Sequence, residues 1–338
     1  MRAAFCTGPR SIDVRDVPLP QATPDTLVVR VHACGICGSD LHYYGGSAPL
    51  PAVCLGHEIC GRVATAGGGL AAGEAVVVEP FVACGACARC SVGEPNLCSK
   101  LRILGAMEAG GFADAVLVPT SSIYRLPTGL DLDTAMLAEP LAVGIHAVRL
   151  AAIGVGDEVL VLGGGAIGLL VAFAAARSGA RVAVSARYPH QRAMALALGA
   201  AAAIEAERDA VLDAAARELP DVVLESVGGA ADTLDLALQA VRPGGRIVAL
   251  GKFAQPITLH PLHFLMKEAR LVSSMMYSRS NPHPDFATAL ALLERERDLL
   301  ARLITHRVPL AQIASGFALA ADKSSRAIKV AVTAATPD

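Results

Sequence analysis

The glycine-rich stretch VLVLGGGAIG, residues 159–168, restricts the fold more than any other part of this chain. An apolar run that reads as a strand leads directly into Gly163, Gly165 and Gly168, and a helical run follows. Glycines at these positions permit a tight strand-to-helix turn and let the backbone approach a pyrophosphate, which the helix N-terminus then stabilises. The spacing G-x-G-x-x-G is weak evidence by itself, so the surrounding sequence decides whether it indicates dinucleotide binding.

Apolar strands and alanine-rich helical runs alternate from about Leu141, and this alternation predicts an α/β fold with a doubly wound parallel sheet. The runs are DEVLVLGGG, AIGLLVAFAAARSG, ARVAVSA, HQRAMALALGA, PDVVLESVG and GRIVALG. From Met1 to about Leu126, short strand-like runs separated by glycine and proline predict a mostly β region. At 338 residues the chain exceeds what one hydrophobic core usually supports, so we expect two domains.

The charge distribution argues against nucleic acid or a membrane as the partner. The formal net charge is −2, and Lys and Arg are scattered rather than gathered in a stripe or a tail. Apolar residues make up 53% of the chain, but charges and turn residues interrupt every run before it reaches a bilayer-spanning length. The start, MRAAFCTGPR, lacks the features of a secretion signal. We therefore expect a cytoplasmic protein with reduced cysteines and a small-molecule partner.

Four cysteines occur close together in CGACARCSVGEPNLC, with the spacing C-x2-C-x2-C-x7-C. Four thiolates this close can form a closed tetrahedral shell around zinc, which suits a structural site because no coordination position remains for a substrate. An iron–sulfur cluster is the main alternative, since thiolates also bind iron. We predict a structural zinc site with four ligands: Cys84, Cys87, Cys90 and Cys98.

A second group of metal-binding side chains lies in CGICGSDLH, residues 34–42, and GHE, residues 56–58. Cys37, His57 and Glu58 offer a thiolate, an imidazole and a carboxylate, a set that zinc accepts while leaving a fourth position open. Zinc in such a site acts as a Lewis acid and lowers the pKa of a bound water or alcohol. Cys34 and Cys37 also match a redox C-x-x-C motif, but the βαβ context of a thioredoxin-like site is not evident around them.

Together the four-cysteine stretch, CGICGSDLH, GHE and VLVLGGGAIG resemble the zinc-containing medium-chain dehydrogenase/reductase family, nearest its sorbitol dehydrogenase and ketose reductase branch. The resemblance covers essentially the whole chain. It implies a GroES-like, mostly β catalytic domain, residues 1–142 and 284–338, and a Rossmann dinucleotide-binding domain, residues 143–283. It also implies catalysis in a cleft between the domains and a homodimer or homotetramer, since both occur in the family.

The resemblance assigns roles to individual residues of the second group. It makes Cys37, His57 and Glu58 ligands of a catalytic zinc, and it puts Glu139 where polyol enzymes hold a glutamate that contacts the zinc-bound water. A second bound carboxylate would weaken the pull of zinc on the alcohol oxygen, so we expect Glu139 to lie outside the ligand shell or to exchange with water. The other matches are two residues that handle the released proton and two tyrosines that line the substrate: Ser39, His42, Tyr43 and Tyr277.

The end of the second strand of the dinucleotide-binding domain indicates which dinucleotide binds. An NAD enzyme carries Asp or Glu there to hold the ribose, whereas this chain reads SARYPHQR and has Arg187 at about that position. A guanidinium can bind a 2′-phosphate through charge-assisted hydrogen bonds. Since the sequence of this segment also resembles that of NADP-linked ketose reductases, we predict NADP(H) as the cofactor. The expected contacts are Gly163, Gly165, Ala166, Ile167, Gly168, Ser185, Arg187 and Arg192.

Two features depart from the polyol pattern. The interval between His42 and His57 is short for that branch, and Met276 stands where polyol enzymes have an arginine. Because a thioether donates no hydrogen bond to a hydroxyl, these residues do not specify which alcohol is the substrate. We predict a zinc-dependent, NADP(H)-linked oxidoreductase that interconverts a secondary alcohol, such as a polyol or sugar derivative, with its ketone. The alternatives are a zinc-free quinone or enoyl reductase of the same superfamily and a non-catalytic protein that binds zinc and nucleotide.

Overall fold

The computed structural model describes residues 1–280 and 282–334, in which the chain forms two compact units. The first unit comprises Met1–Glu139 and the segment that begins at Ser278, and the second is Pro140–Tyr277. The predicted boundaries, 142/143 and 283/284, lie slightly further along the chain. The backbone N–H of Ser278 donates to Asp285 Oδ2 (2.8 Å) and its hydroxyl donates to the carbonyl of Gly93 (3.1 Å), which attaches this segment to the first unit. The last four residues of the predicted segment 284–338 lie outside the described residues.

Strands and helices are numbered here along the chain. The β-strands are β1 (Arg2–Gly8), β2 (Ser11–Asp16), β3 (Thr26–Gly35), β4 (Glu58–Val63), β5 (Ala75–Val78), β6 (Phe81–Val82), β7 (Arg102–Ile103), β8 (Ala115–Pro119), β9 (Ile123–Arg125), β10 (Glu158–Leu162), β11 (Arg181–Ser185), β12 (Ala202–Ile204), β13 (Val222–Glu225), β14 (Arg246–Ala249), β15 (Arg270–Ser273), β16 (Ile304–Pro309) and β17 (Lys329–Thr333). The α-helices are α1 (Gly38–Tyr44), α2 (Ala88–Ser91), α3 (Leu132–Ala135), α4 (Ala138–Leu150), α5 (Ala166–Arg177), α6 (Pro189–Ala197), α7 (Arg208–Glu218), α8 (Thr233–Ala240), α9 (Pro261–Lys267), α10 (Asp285–Arg295), α11 (Arg297–Leu300) and α12 (Ile313–Ala321). Within the described ranges, no helix has both the length and the apolar character that a bilayer crossing requires.

The first unit is built on a largely antiparallel sheet with the strand order β16-β17-β3-β4-β5-β9, and β8 pairs with β3. Its buried face carries Val29 and Ile59, and the core continues to Phe112, whose ring meets Phe317 of α12 edge-on at 5.6 Å between centroids. The register of β3 and β4 sets Glu58 directly opposite Gly35. The predicted mostly β character of this region is confirmed.

The second unit contains a six-stranded parallel sheet with the order β12-β11-β10-β13-β14-β15. Numbered within the unit, this is the order 3-2-1-4-5-6 of dinucleotide-binding sheets, and it confirms the predicted doubly wound fold. The strand order reverses between β10 and β13, and the glycine-rich turn follows β10 directly. Leu160, Val223, Leu236 and Ile247 pack together in the core of this unit.

Candidate active site

The four cysteines of the first predicted metal site lie in one short lobe of the first unit. Cys87 precedes α2, and Cys98 follows a 3-10 turn at Pro95–Leu97. The Sγ atoms lie within 4.8 Å of one another, with separations of 3.5 Å (Cys87 to Cys90), 3.8 Å (Cys87 to Cys98) and 3.9 Å (Cys84 to Cys90). Sulfurs about 2.3 Å from a tetrahedral zinc lie about 3.8 Å apart, so the sulfur geometry fits this metal.

Hydrogen bonds to the sulfur atoms of this lobe stabilise the thiolate form of the cysteines. The backbone N–H groups of Cys84 (3.4 Å) and Lys100 (3.3 Å) donate to Cys98 Sγ. The backbone N–H of Cys90 makes the largest contribution to lowering the pKa of the Cys87 thiol, which falls to about 6. Because only the thiolate binds metal, these N–H groups favour the binding form of the ligands.

The second predicted metal site forms where β3, α1 and β4 meet. Cys37 is the residue before α1, His57 precedes β4, and Glu58 is the first residue of that strand. One possible ligand atom from each lies within 4.8 Å of the others. A Cβ at Gly35 would lie 1.9 Å from Glu58 Oε2, so glycine is required opposite this carboxylate. Glu58 Oε2 is buried and has no hydrogen-bond partner among the described residues, which is unusual for a buried carboxylate and fits a metal-binding atom.

Asp40, which sequence analysis did not assign, is buried beside this site. Its Oδ2 accepts a hydrogen bond from the backbone N–H of Cys37 (2.9 Å), and its Oδ1 lies 3.7 Å from His57 Nδ1. Burial is the largest influence on its pKa, which rises to about 6 even though His57 acts in the opposite direction. The spacing C-x-x-D, with Asp at the third position of a helix, resembles a capping box and was the available sequence signal.

Lys329 is a second residue that sequence analysis missed. Its Nζ lies 2.6 Å from Glu58 Oε1 and 3.1 Å from the carbonyl oxygen of Ile36. The Lys329 and Glu58 side chains are only 2% and 0% exposed, so the pair is fully buried. Burial alone lowers the pKa of Lys329, but the negative charges of Glu58 and Cys37 outweigh it, and the pKa lies above its ordinary value. One carboxylate oxygen of Glu58 thus binds a cationic side chain while the other is left for a metal.

The electrostatic surroundings of His57 favour a cation. Burial by itself lowers the pKa of His57, but Asp40, Cys37 and Glu139 outweigh burial, and the pKa lies well above its ordinary value. A bound divalent ion would supply the positive charge that these groups favour. The donor types and the charge of the pocket therefore both fit zinc.

Glu139 lies in the first turn of α4 and is buried. Its carboxylate is not among the three ligand atoms that lie within 4.8 Å of one another in the described part of the chain. Burial is the main reason that its pKa rises to about 7, the negative charge of Glu58 adds to this rise, and His57 opposes it. Glu139 is thus within electrostatic reach of the cluster, and its predicted role stays a prediction.

The remaining predicted residues of α1 follow Cys37 on one short helix. Ser39, His42 and Tyr43 are all partly exposed, and His42 Nδ1 lies 3.1 Å from Ser47 Oγ. Tyr277, the last residue of the second unit, is fully buried. Their assigned roles stay predictions.

The glycine-rich turn has the geometry of a phosphate-binding turn. Gly163 has φ +110°, and a Cβ at Gly168 would lie 1.9 Å from the carbonyl oxygen of Gly163, so both positions require glycine. Gly165 differs, because its φ of −74° suits any residue and an added Cβ would meet nothing within 4 Å. The missing side chain leaves open space directly before Ala166, the first residue of α5, where the helix N-terminus favours an anion.

The two predicted phosphate-binding arginines have different surroundings. Arg187 is exposed, its guanidinium lies 5.8 Å from the Tyr188 ring centroid, and it makes no ion pair within the described ranges. Arg192 donates to the carbonyls of Ala186 (3.0 Å) and Arg187 (3.2 Å) and to Glu205 Oε1 (2.9 Å). Arg187 is thus available to a ligand. Arg192 instead holds in place the backbone segment that contains Arg187. Ser185 is buried at the end of β11.

Comparisons with known proteins agree with this picture. Residues 23–128 match the alcohol dehydrogenase GroES-like domain, and residues 166–295 match the zinc-binding dehydrogenase domain. The chain is 34% identical to L-galactonate-5-dehydrogenase of Escherichia coli and 36% identical to 2-dehydro-3-deoxy-L-galactonate 5-dehydrogenase of Pseudoalteromonas atlantica, over 94% of both chains in each case. A zinc-binding dehydrogenase of Sinorhizobium meliloti, solved with NADP, superposes with a TM-score of 0.87 at 34% identity over 98% of both chains.

The relatives also include sorbitol dehydrogenases and L-idonate 5-dehydrogenase, which agrees with the predicted branch. The donor geometry argues against the zinc-free alternative, because that branch has no use for two converging sets of metal ligands. The chain belongs to the zinc-containing medium-chain dehydrogenase/reductase family, in its polyol dehydrogenase branch, and is a zinc-dependent alcohol oxidoreductase.

Proposed function

We propose that this chain interconverts a secondary alcohol of a sugar-derived polyol or sugar acid with its ketone, using NADP(H). The observation that carries the proposal is the convergence of the partly buried Cys37 and His57 with the buried Glu58, whose Oε2 has no hydrogen-bond partner among the described residues. Relatives named for L-galactonate and 2-dehydro-3-deoxy-L-galactonate support sugar acids as a substrate class. The complex of the Sinorhizobium meliloti relative with NADP supports the choice of cofactor.

The catalytic metal is proposed to be zinc held by Cys37, His57 and Glu58. When bound, zinc would supply Lewis-acid polarisation of the alcohol oxygen, and NADP⁺ would supply the hydride acceptor. Asp40 orients the His57 ring, since metal-binding histidines commonly direct their second nitrogen to a carboxylate. Lys329 holds the other oxygen of Glu58 and offsets part of the negative charge of the ligand set. The four-cysteine lobe holds a second, structural zinc.

We assign proton handling to α1. As Ser39 Oγ takes the proton of the substrate hydroxyl it releases its own hydroxyl proton towards the His42 imidazole, and His42 then releases a proton to solvent. The partial exposure of His42 and its 3.1 Å approach to Ser47 Oγ support the outward step. Tyr43 is proposed to contact substrate directly, whereas the full burial of Tyr277 favours a role in shaping the substrate-binding wall.

Arg187 is proposed to determine the preference for NADP. Its guanidinium makes no ion pair among the described residues and can give charge-assisted hydrogen bonds to a 2′-phosphate, each worth about 1.5–3 kcal/mol, or about 10- to 100-fold in affinity. We expect Arg187→Asp to reverse the ratio of kcat/KM for NADP over NAD, while the exposed Arg217→Asp leaves it unchanged. If Arg187→Asp still favours NADP, the assignment is wrong.

The substrate is tested by nicotinamide absorbance with zinc-loaded enzyme and with NADP(H) and NAD(H) in parallel. The panel contains polyols, sugar acids, the corresponding ketoses and simple secondary alcohols. Turnover of polyols or sugar acids with NADP supports the proposal and shows that Met276 is tolerated in place of arginine. Turnover confined to simple alcohols rejects the substrate class, and so does the absence of turnover with every polyol and sugar acid of the panel.

The location and assembly belong to the proposal as well. We propose a cytoplasmic enzyme, because each of the nine thiols is either buried or belongs to one of the two candidate metal sites, and thiols of both kinds need a reducing compartment. We also propose a homodimer or homotetramer formed through the edge of the parallel sheet. Within the described residues β15 pairs with β14 alone, and Leu265, Met266 and Val272 nearby are exposed. Val272→Lys should release smaller species in light scattering, and an unchanged mass would rule out this edge as the interface.

A further inference from the structure

A groove of about 730 Å³ opens on the first unit, on the exposed side of β3 and β4. Its lining includes Arg2, Leu19, Arg30, Arg62, Val63 and Asp114, and it is named the β3–β4 groove here. It contains none of the residues assigned to either metal or to the nucleotide.

Two arginines lie directly opposite each other on the floor of this groove. Arg30 of β3 and Arg62 of β4 are cross-strand partners, and both side chains are exposed. The same row continues to Ala75 of β5 and to Ala115 of β8. Like charges directly opposite each other destabilise a sheet, and the small alanines on either side offer no compensating carboxylate. The row therefore has two adjacent cations and open space around them.

The charges that face these arginines do not neutralise them. Arg30 makes no ion pair or side-chain hydrogen bond within residues 1–280 and 282–334, and Arg62 donates only to the neutral carbonyl of Gly73 (3.0 Å). Asp114 is occupied by Arg2, through Nη2 to Oδ1 (2.7 Å) and Nε to Oδ2 (3.2 Å).

The other titratable neighbours are engaged elsewhere. His32 Nε2 lies 2.8 Å from Asp133 Oδ1, and Glu74 beside the groove pairs with Arg125. Asp16 lies opposite Arg2 on β2 and interacts with that arginine. In the described part of the chain, no carboxylate thus pairs with Arg30 or Arg62, and this part of the β3–β4 groove is positively charged.

We propose that the β3–β4 groove binds a phosphate-type oxyanion, bridged between the guanidinium groups of Arg30 and Arg62. Planar guanidinium groups give paired hydrogen bonds to such an anion, and two on adjacent strands can contact different oxygens. The exposed Leu19 at the rim can contact an attached carbon chain. The site is separate from the proposed reaction, so it would take a phosphoryl-bearing small molecule in addition to substrate and cofactor.

The test is calorimetric titration of inorganic phosphate into the full-length, zinc-loaded enzyme. The enzyme is first saturated with NADP so that the nucleotide site is filled, and ionic strength is held constant with chloride. We expect one phosphate per chain and at least about tenfold weaker binding in Arg30→Gln/Arg62→Gln, because charge-assisted contacts are lost. The matched control Arg15→Gln/Arg89→Gln removes the same charge elsewhere and should bind as the unmodified chain does.

Two outcomes would overturn the proposal: no phosphate binding at millimolar concentration by the unmodified enzyme, or equal binding by the groove variant. Unfolding in chloride buffer checks that each variant folds, and the single Arg30→Gln variant replaces the double variant if the double does not. Glycerol 3-phosphate distinguishes the sources of the anion. Tighter binding than phosphate indicates that the groove takes phosphate esters, whereas equal binding indicates the inorganic ion.

Discussion

Replacement of Lys329 by methionine should destabilise the metal-free enzyme far more than the zinc-loaded enzyme. Lys329 and Glu58 form a buried pair with 2.6 Å between Nζ and Oε1, and Glu58 Oε2 has no other partner in the described residues. Removal of one partner of such a pair leaves an uncompensated buried charge and costs about 3–5 kcal/mol. Bound zinc would compensate the charge that Glu58 keeps after Lys329 is replaced. The variant should therefore bind zinc more tightly, by about tenfold in affinity for each 1.4 kcal/mol of the lost stability that zinc restores.

The assay is urea unfolding with and without a zinc chelator, combined with zinc affinity measured by competition with a chelating dye. Arg89→Met is the control, because Arg89 and Glu94 form an exposed pair, with side chains 59% and 33% exposed, and should contribute about 1 kcal/mol or less. Glu58→Gln/Lys329→Met should recover part of the stability, since it removes both charges. The reasoning fails if Lys329→Met costs no more than the control, or if zinc leaves the cost unchanged.

Two further predictions concern groups with altered pKa values. In the zinc-depleted enzyme at pH 7, iodoacetamide should modify Cys87 and leave Cys60 unmodified. Hydrogen bonding lowers the pKa of Cys87 to about 6, whereas burial raises the pKa of Cys60 to about 12. Mass spectrometry that finds the reverse order of modification would contradict both assignments. Burial alone raises the pKa of Asp221, but hydrogen bonds from the backbone N–H of Glu158 and the guanidinium of Arg242 outweigh burial. The pKa of this carboxyl in the folded chain is therefore below its ordinary value. A lowered folded pKa gives stability that is present above about pH 4 and is lost as the pH falls through the folded pKa, so Asp221→Asn should cost about 1 kcal/mol or less at pH 7 and less than that near pH 3. Urea unfolding at both pH values checks that the cost is smaller at the lower pH, with the exposed Asp213→Asn as the control, and a pH-independent difference would reject the linkage.

Much of the fold and of both metal sites was predictable because the signals are local. The cysteine spacing places four thiols within one loop, and the glycine spacing specifies a turn whose dihedral angles and close contacts exclude larger residues at Gly163 and Gly168. Strand and helix periodicity likewise depends on neighbours a few residues away, which is why the parallel sheet could be predicted without a structure.

Other features depend on chain segments that meet only after folding. Lys329 reaches Glu58 across 271 positions, because β17 lies beside β3 in the sheet, and no local pattern marks a lysine at the start of an apolar strand as a partner of a metal ligand. Arg192 pairs with Glu205, 13 positions away, a contact that no local pattern marks, and its predicted role as a phosphate contact stays a prediction.

The sequence by itself determined the class of fold, the two sets of candidate metal ligands and the glycine-rich turn, since each follows from short-range spacing and residue chemistry. Only the tertiary structure decided which charges are paired. The pairing of Glu58 with Lys329 and the opposition of Arg30 and Arg62 both follow from strand register, including the irregularity of β3 between Val31 and Ala33. Register is set by packing and hydrogen bonding along whole strands, and a shift of one residue would turn these side chains to the opposite face of the sheet.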